Sequence, residues 1–443
     1  MHIAVIGAGI VGVTTAYELA SDGHQVTVFE RRGSVAAEAS FANAGVVAPG
    51  YVTPWAGPGM PGKVLRMLPT RHTPVRIHPT LDPATLGWLW RWWRACEPAT
   101  WRANRAAMQS LAQFSRTRLH DLVARLKLDY ERHDGYLVLL RTPQDLKLAR
   151  PGLKALAETG VRFHLVDAAG CRGIEPDLNP ETPLQAGIHI MDAEVGNCRQ
   201  FAHLMRNEAQ RVGVSFVFHS QVDRIEPGAA PRIVQRNVSV GENTRLSQAD
   251  DLFDATRPLA DDAAQDHFDA VVVCAALGAS ALLRPHGLKL PLQPVYGYSI
   301  TAPLRQHHGH PDHGPRAALM DERYKIAISR IGNRVRVAGS AEIGGSADRI
   351  NPASIETLYK VLHDWYPGAA HMSQVQRWKG ARPMLPDGPP VLGESGLPGV
   401  WLNLGHGGSG WALACGSARV LADRIGGRPA AIDLARLGVD RWR

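Results

Sequence analysis

Residues 1–30 read MHIAVIGAGIVGVTTAYELASDGHQVTVFE, and their apolar positions fall into three blocks. Positions 2–6 are a short, β-branched apolar run, which suits a strand buried on both faces. Positions 13–20 carry helix formers with an apolar face and stop near Ser21, Asp22 and Gly23. Positions 25–29 form a second buried strand that ends at Glu30. Farther along, helical spacing covers 103–127, 142–159, 199–212, 354–365 and 412–425. Strand-like runs cover 135–141, 161–165, 187–197, 214–218, 221–225, 268–278 and 400–404. Two later stretches, 290–301 (LPLQPVYGYSIT) and 325–340 (KIAISRIGNRVRVAGS), alternate apolar and polar residues, and the pair Gly332-Asn333 suits a hairpin turn. The pattern predicts an α/β (α+β) fold, in which a buried parallel sheet is joined to an antiparallel sheet with one half-buried face.

The turn between the first strand and helix is Gly7-Ala8-Gly9-Ile10-Val11-Gly12. Gly7 permits the tight turn, Gly9 lets a pyrophosphate approach the backbone, and Gly12 lets the helix pack close to the sheet. The helix start offers free N–H groups and a partial positive charge to phosphates. Glu30, at the end of the second strand, can accept hydrogen bonds from a ribose. Ile6 to Gly12, Glu30 and the adjoining Arg31 are therefore candidate dinucleotide ligands. A glycine-rich turn alone does not separate FAD from NAD.

The chain has 443 residues, 45% of them hydrophobic and 20% charged, enough for two or three domains with a sizeable core. The formal charge of +8 favours anionic partners, but the basic residues are not clustered as nucleic-acid binders require. Cys96, Cys171, Cys198, Cys274 and Cys415 are far apart, and the histidines show no ligand spacing, so no metal site or disulfide framework is expected. No apolar run approaches the ~20 residues that span a bilayer. These features point to a cytoplasmic protein. The stretch 63–101, where Trp88, Trp90, Trp92, Trp93 and Trp101 interleave with Arg91, Arg94 and Arg102, admits two readings. One is a core helix with surface arginines; the other is a peripheral contact with the inner face of the cell membrane.

Glu38 to Gly45 (EASFANAG) is a small-residue segment that lets a flat ring lie against the backbone. It resembles the S-x-A-N-A-G segment of the FAD-dependent D-amino-acid oxidase superfamily. The segment 49–59 (PGYVTPWAGPG) is similar to one in the small subunits of bacterial D-amino-acid dehydrogenases. Residues 268–278 (FDAVVVCAALG) resemble the returning A-x-G element of glutathione-reductase-like FAD proteins. Trp378 to Gly393 (WKGARPMLPDGPPVLG) resembles the family's G-x-R-P-x-x-P-D-G-x-P segment, and Gly405 to Trp411 (GHGGSGW) its G-H-G-x-x-G-W element. The resemblance spans the chain except 227–266, a polar stretch containing Asp250, Asp251, Asp254, Asp261, Asp262 and Asp266 that reads as a surface insertion.

The resemblance implies a glutathione-reductase-type FAD domain built from 1–60, 150–287 and 380–443, and a substrate domain from 61–149 and 288–379. It adds Ser40, Ala42, Asn43, Ala44, Gly45, Ala275 and Gly278 to the FAD ligands. It also adds Val222 through its backbone, although a plain buried strand valine predicts the same side chain. The implied reaction is oxidation of a D-amino acid at its α-carbon, giving an imino acid that water converts to a 2-oxo acid and ammonium. FAD takes the hydride, and an acceptor such as a quinone follows. Arg382 stands at the position that binds the substrate carboxylate in the family, and Arg330 is a second candidate cation. Tyr296, Tyr298 and Tyr324 are candidate carboxylate partners. Alternation puts Tyr296 and Tyr298 on one face, so both point at the site or neither does. Gly405, His406, Gly407, Gly408 and Gly410 lead into a helix whose N-terminus stabilises negative charge developing on the ring system. An amine or imino-acid oxidase of glycine, sarcosine or D-(hydroxy)proline type, and a non-catalytic FAD-binding subunit, remain open alternatives.

Overall fold

The computed structural model describes residues 1–442 except 68–69, 159, 239–264 and 306–312. Its first sheet has six strands in the order Val391–Glu394, Val400–Leu404, Ala270–Val273, His2–Ile6, Gln25–Phe29 and Ser215–Val217. Neighbours are parallel except the first pair. In the central strand Ile3 and Val5 enter one apolar core while Ala4 and Ile6 enter another. That two-sided burial is why the sequence shows a continuous apolar run here and not alternation.

One core lies under the helices Ile10–Ser21, Pro98–Leu126, Cys198–Arg211 and Gly410–Ile425. Glu18 is fully buried between three of them. Its carboxylate accepts two hydrogen bonds from Arg118, at 2.7 and 2.8 Å, and one from Arg419 at 2.8 Å.

The second sheet is mixed and larger. Its path runs Gln376–Met384, Gln293–Pro303, Arg334–Ile343, Ile326–Ile331, Ala318–Asp321, His133–Leu140, Ala186–Val195 and Val46–Val47, with Val75–Ile77 and Phe163–Asp167 paired alongside. The helix Pro352–Trp365 covers one face through Ile355, Leu358 and Trp365, packed on Tyr298, Ile300, Ile326, Ile328 and Val337. The other face looks toward the first sheet.

This topology corrects the domain boundaries expected from sequence. Residues 163–167 and 186–195 belong to the second sheet, not to the unit of the first. The helix Pro98–Leu126 packs on the first sheet's helices, not with the second sheet. The strand Gln376–Met384 runs through the boundary expected at 380. Strand pairing across long sequence distances decides these memberships, and no local pattern encodes it.

The stretch 227–266 is also not one uniform insertion. Arg232–Asn237 pairs with Ser220–Glu226 on one side and with Gln265–His267 on the other, in a small antiparallel sheet. Asp266 accepts a hydrogen bond from Gln235 at 3.1 Å. Asp250, Asp251, Asp254, Asp261 and Asp262 lie outside the described residues. In the tryptophan-rich region, the helix Pro83–Ala95 buries Trp88 and Trp92, one turn apart, and leaves Trp90 and Trp93 57% and 52% exposed. The core-helix reading therefore holds for Trp88 and Trp92, while Trp90 and Trp93 stay at the surface.

Candidate active site

A cavity of about 830 Å³ lies between the sheets, and the glycine-rich turn forms one end of it. Gly7 has φ +102°, and a Cβ there would stand 2.8 Å from the Cys274 carbonyl oxygen. A Cβ on Gly12 would collide with the Gly7 carbonyl, so helix and turn touch backbone to backbone. At Gly9 a Cβ would meet nothing nearer than Ser40 Oγ at 3.7 Å, which leaves that side open to the cavity. Ile6, Ile10 and Val11 also line it; Ala8 and Gly12 do not. Ala8 instead donates its N–H to Glu30 Oε2 at 2.7 Å, and the N–H of Arg32 reaches Oε1 at 2.8 Å. Burial raises the Glu30 pKa, outweighing those two bonds. Arg31 lines the same end and is paired with Glu38.

The middle of the cavity is walled by Ser40, Ala42, Asn43, Ala44 and Gly45. Ser40 Oγ accepts the N–H of Ile10 at 3.1 Å, tying this loop to the helix start. Behind it Ser329 Oγ donates to the Ala44 carbonyl at 2.7 Å, and Arg336 donates to the Asn43 carbonyl at 3.2 Å. Val222, Ala275 and Gly278 line the cavity nearby. Gly405, His406, Gly407, Gly408 and Gly410 complete the wall before the helix Gly410–Ile425, whose start has no side-chain cap. His406 hydrogen-bonds Ser417 Oγ at 3.1 Å, and that hydroxyl donates to the Ala414 carbonyl. Nε2 therefore carries the ring proton. Burial holds the His406 pKa down at about 3, so the ring is neutral.

Arg382 lines the far end with its guanidinium buried. Nη1 donates to the Ser340 carbonyl at 2.8 Å, and among the described residues no carboxylate pairs with it. Burial alone lowers its pKa to about 10, still high enough to keep the charge at neutral pH. A bulge aims the Ser340 carbonyl. Tyr296 faces Glu342 and Tyr298 faces Gly339, so Gly297 stands opposite two residues, Ser340 and Ala341.

The tyrosines behave otherwise than expected. Gly297, between them, lies under Arg382, whereas Tyr296 and Tyr298 send their rings to the opposite face. There the Tyr298 hydroxyl donates to Glu342, and Lys379 Nζ sits 4.3 Å from the Tyr296 ring centroid. Both touch the cavity wall, but neither ring shares the face of Arg382. Tyr324 is not in the wall; its ring lies among Arg141, Lys360 and His72. Arg330 is not in the wall either, and it donates to the Gly332 carbonyl at 3.2 Å, bracing the hairpin turn. The side chains that do share the face of Arg382 include Trp378 and, at the far end, Tyr136, Met320 and Lys325, with Tyr51 opposite. Sequence reading missed these residues. Tyr51 stood in the segment 49–59 that carried the family resemblance, and Tyr136 at an alternating position of its strand.

The family model for FAD-dependent oxidoreductases of the DAO type matches residues 2–424. The chain belongs to that family. It is 41% identical over 444 residues to the D-amino acid dehydrogenase of Cereibacter sphaeroides, covering all of this chain and 95% of that one. It is 39% identical to the D-amino acid dehydrogenase of Rhizorhabdus wittichii over the whole of both chains. Among solved structures it is similar to glycine oxidase from Geobacillus kaustophilus, with a TM-score of 0.73, 18% identity, and coverage of 99% and 97% of the two chains. Iminodiacetate oxidase from Chelativorans aligns with a TM-score of 0.68 and 19% identity over 98% of each chain. These likenesses show the fold: a Rossmann-like FAD domain with a mixed substrate-binding sheet.

The DAO-family chain is FAD-dependent, and the cavity fits the cofactor. The open side of Gly9 and the helix start after it would take the pyrophosphate, and Glu30 a ribose. The 40–45 loop and the turn before Gly410 would flank the ring system.

Proposed function

We propose that the protein dehydrogenates D-amino acids, giving 2-oxo acids and ammonium. The observation that carries this reading is Arg382: a buried cation with no carboxylate partner among the described residues, lining the cavity that fits FAD. A buried charge of this kind calls for an anionic ligand. A planar guanidinium pairs a carboxylate in two-point fashion and so orients the α-carbon as well as attracting it. FAD, when bound, would supply the hydride acceptor for that carbon. The D configuration is supported by the relatives at 39–41% identity, which are D-amino acid dehydrogenases.

In this reading Arg382 fixes the carboxylate, and its Ser340 contact fixes Arg382. The uncapped helix start at Gly410 favours negative charge at the ring system. His406 is neutral and neither takes nor gives a proton in the working pH range. If the substrate amine binds neutral, no side-chain base is needed, and the rate rises with pH through the amine's own pKa.

Anaerobic mixing of the holoenzyme with D-alanine, D-proline and their L-forms tests the proposal, read at the flavin band near ~450 nm. Loss of the band with D-forms alone supports it. No change with any of the four overturns it and favours another amine substrate or a non-catalytic subunit.

The electrons then pass to a quinone at a membrane surface. Support comes from Trp90 and Trp93, exposed with rings 5.0 Å apart on a helix that also carries Arg91 and Arg94. Among the described residues no helix is long and apolar enough to cross a membrane, so the contact would be peripheral. Rapid reoxidation by air, with no reaction toward a soluble quinone, would refute this acceptor.

A further inference from the structure

We propose that Lys325 is a second cation for the substrate carboxylate, held in reserve by Glu322. The inference rests on the reading of Arg382 just given.

The bulge at Ser340 is its geometric basis. Ser340 has φ +61°, a left-handed conformation in the interior of a strand. From one side Arg382 reaches across Gly297 to the Ser340 carbonyl at 2.8 Å. On the other side the ladder closes with Ile326 opposite Gly339, which brings Lys325 level with Ser340 one step farther on. Lys325 also has a left-handed φ, +54°, and a Cβ on Gly339 would stand 2.9 Å from its carbonyl oxygen. Two cations thus flank one strand position, and both line the same cavity.

Their present partners differ. Arg382 has no carboxylate among the described residues. Lys325 is paired with Glu322, three residues back in the turn, and the two side chains are 44% and 19% exposed. A pair open to water on one side is weak, so an entering carboxylate competes for the ammonium at little cost. The flexible four-carbon stem of lysine permits the exchange.

Glu322 has replacements at hand. Its Oε2 is buried without a partner among the described residues. Tyr51 and Tyr136 both line the cavity and lie close enough to Glu322 for its charge to raise their pKa values further than burial already does. Among the described residues neither phenol hydroxyl has a hydrogen-bond partner. Each phenol is a donor that could satisfy the carboxylate once Lys325 turns away.

The test uses the holoenzyme, with benzoate as a plain carboxylate probe and D-alanine as substrate. Benzoate affinity is read from the perturbed flavin spectrum, which needs no turnover. Lys325→Met is expected to weaken benzoate and raise KM about tenfold while kcat moves less than about threefold. Glu322→Gln is expected to shift both in the opposite sense, because it frees the ammonium. A purely structural role would damage both variants alike. Movement of the two in the same direction, or unchanged benzoate affinity in both, overturns the proposal. Arg382→Met is measured beside them. If it leaves benzoate binding intact, the carboxylate reading itself falls; if it weakens binding and Lys325→Met does not, only the role of Lys325 falls.

Discussion

Gly297 lies directly beneath the guanidinium of Arg382, where a Cβ would stand 2.6 Å from Cζ and closer still to Nη2. The arginine crosses its neighbouring strand only because that position has no side chain. Gly297→Ala is therefore expected to displace the guanidinium by about an ångström and lower kcat/KM for a D-amino acid by about 10- to 100-fold. FAD content should stay near wild type, since the glycine faces Arg382 and is not part of the glycine-rich turn that would hold the pyrophosphate. Normal kcat/KM in the variant would show that Arg382 does not need this path.

Tyr298→Phe separates the two faces of the sheet. The lost hydroxyl donates to Glu342, a carboxylate also held by His78 at 2.5 Å and Lys379 at 3.2 Å. Burial raises the Glu342 pKa, but these three partners together hold it below the ordinary range. The variant should lose about 1–3 kcal/mol of stability by denaturant titration. KM should stay within about twofold, because the hydroxyl faces away from Arg382. A tenfold rise in KM would put Tyr298 back among the substrate contacts.

His406 makes the protein sensitive to acid. Its pKa falls from 6.5 to about 3 on burial, so between those values the unfolded chain binds a proton that the folded one refuses. Stability contributed here is full above about pH 6.5 and is lost as pH falls toward 3. His406→Gln removes that loss. Measured from pH 7 to pH 4, the unfolding midpoint of wild type should drop faster than that of the variant, and parallel curves would contradict the assignment.

Glu18 is a buried carboxylate shared by Arg118 and Arg419 on two other helices. Glu18→Ala leaves Arg118 without its carboxylate, while Arg419 keeps Asp22 and Asp423. The expected cost is about 3–5 kcal/mol in chemical denaturation, far above an exposed ion pair. A loss under about 1 kcal/mol would mean that water solvates Arg118 and that Asp22 and Asp423 suffice for Arg419.

The strand–turn–helix at residues 1–30 was legible because strand, turn and helix follow one another directly and the glycine spacing marks the turn, although Gly7 also abuts the distant Cys274 carbonyl. The 38–45 loop and the turn at 405–411 were legible as contiguous small-residue segments. The orientation of Tyr296 and Tyr298 was not legible. Alternation says that they share a face, but which face turns toward FAD depends on where Pro352–Trp365 docks. Lys325, Tyr136 and Tyr51 were missed because their strand, strand and loop meet only through non-local pairing. The bulge at Ser340 leaves no plain mark in the sequence, yet it sends Glu342 to the outer face and aims a carbonyl at Arg382.

The order of strands in the first sheet also bears on synthesis. His2–Ile6 precedes by more than 260 residues its partner Ala270–Val273, whose other neighbour is Val400–Leu404. A ribosome must therefore release nearly the whole polypeptide before that sheet can close. Until then His2–Ile6 has Gln25–Phe29 on one side only, and its other edge is exposed to chaperones and to aggregation. Growth temperature and chaperone supply should accordingly govern soluble yield more than any change in the cavity.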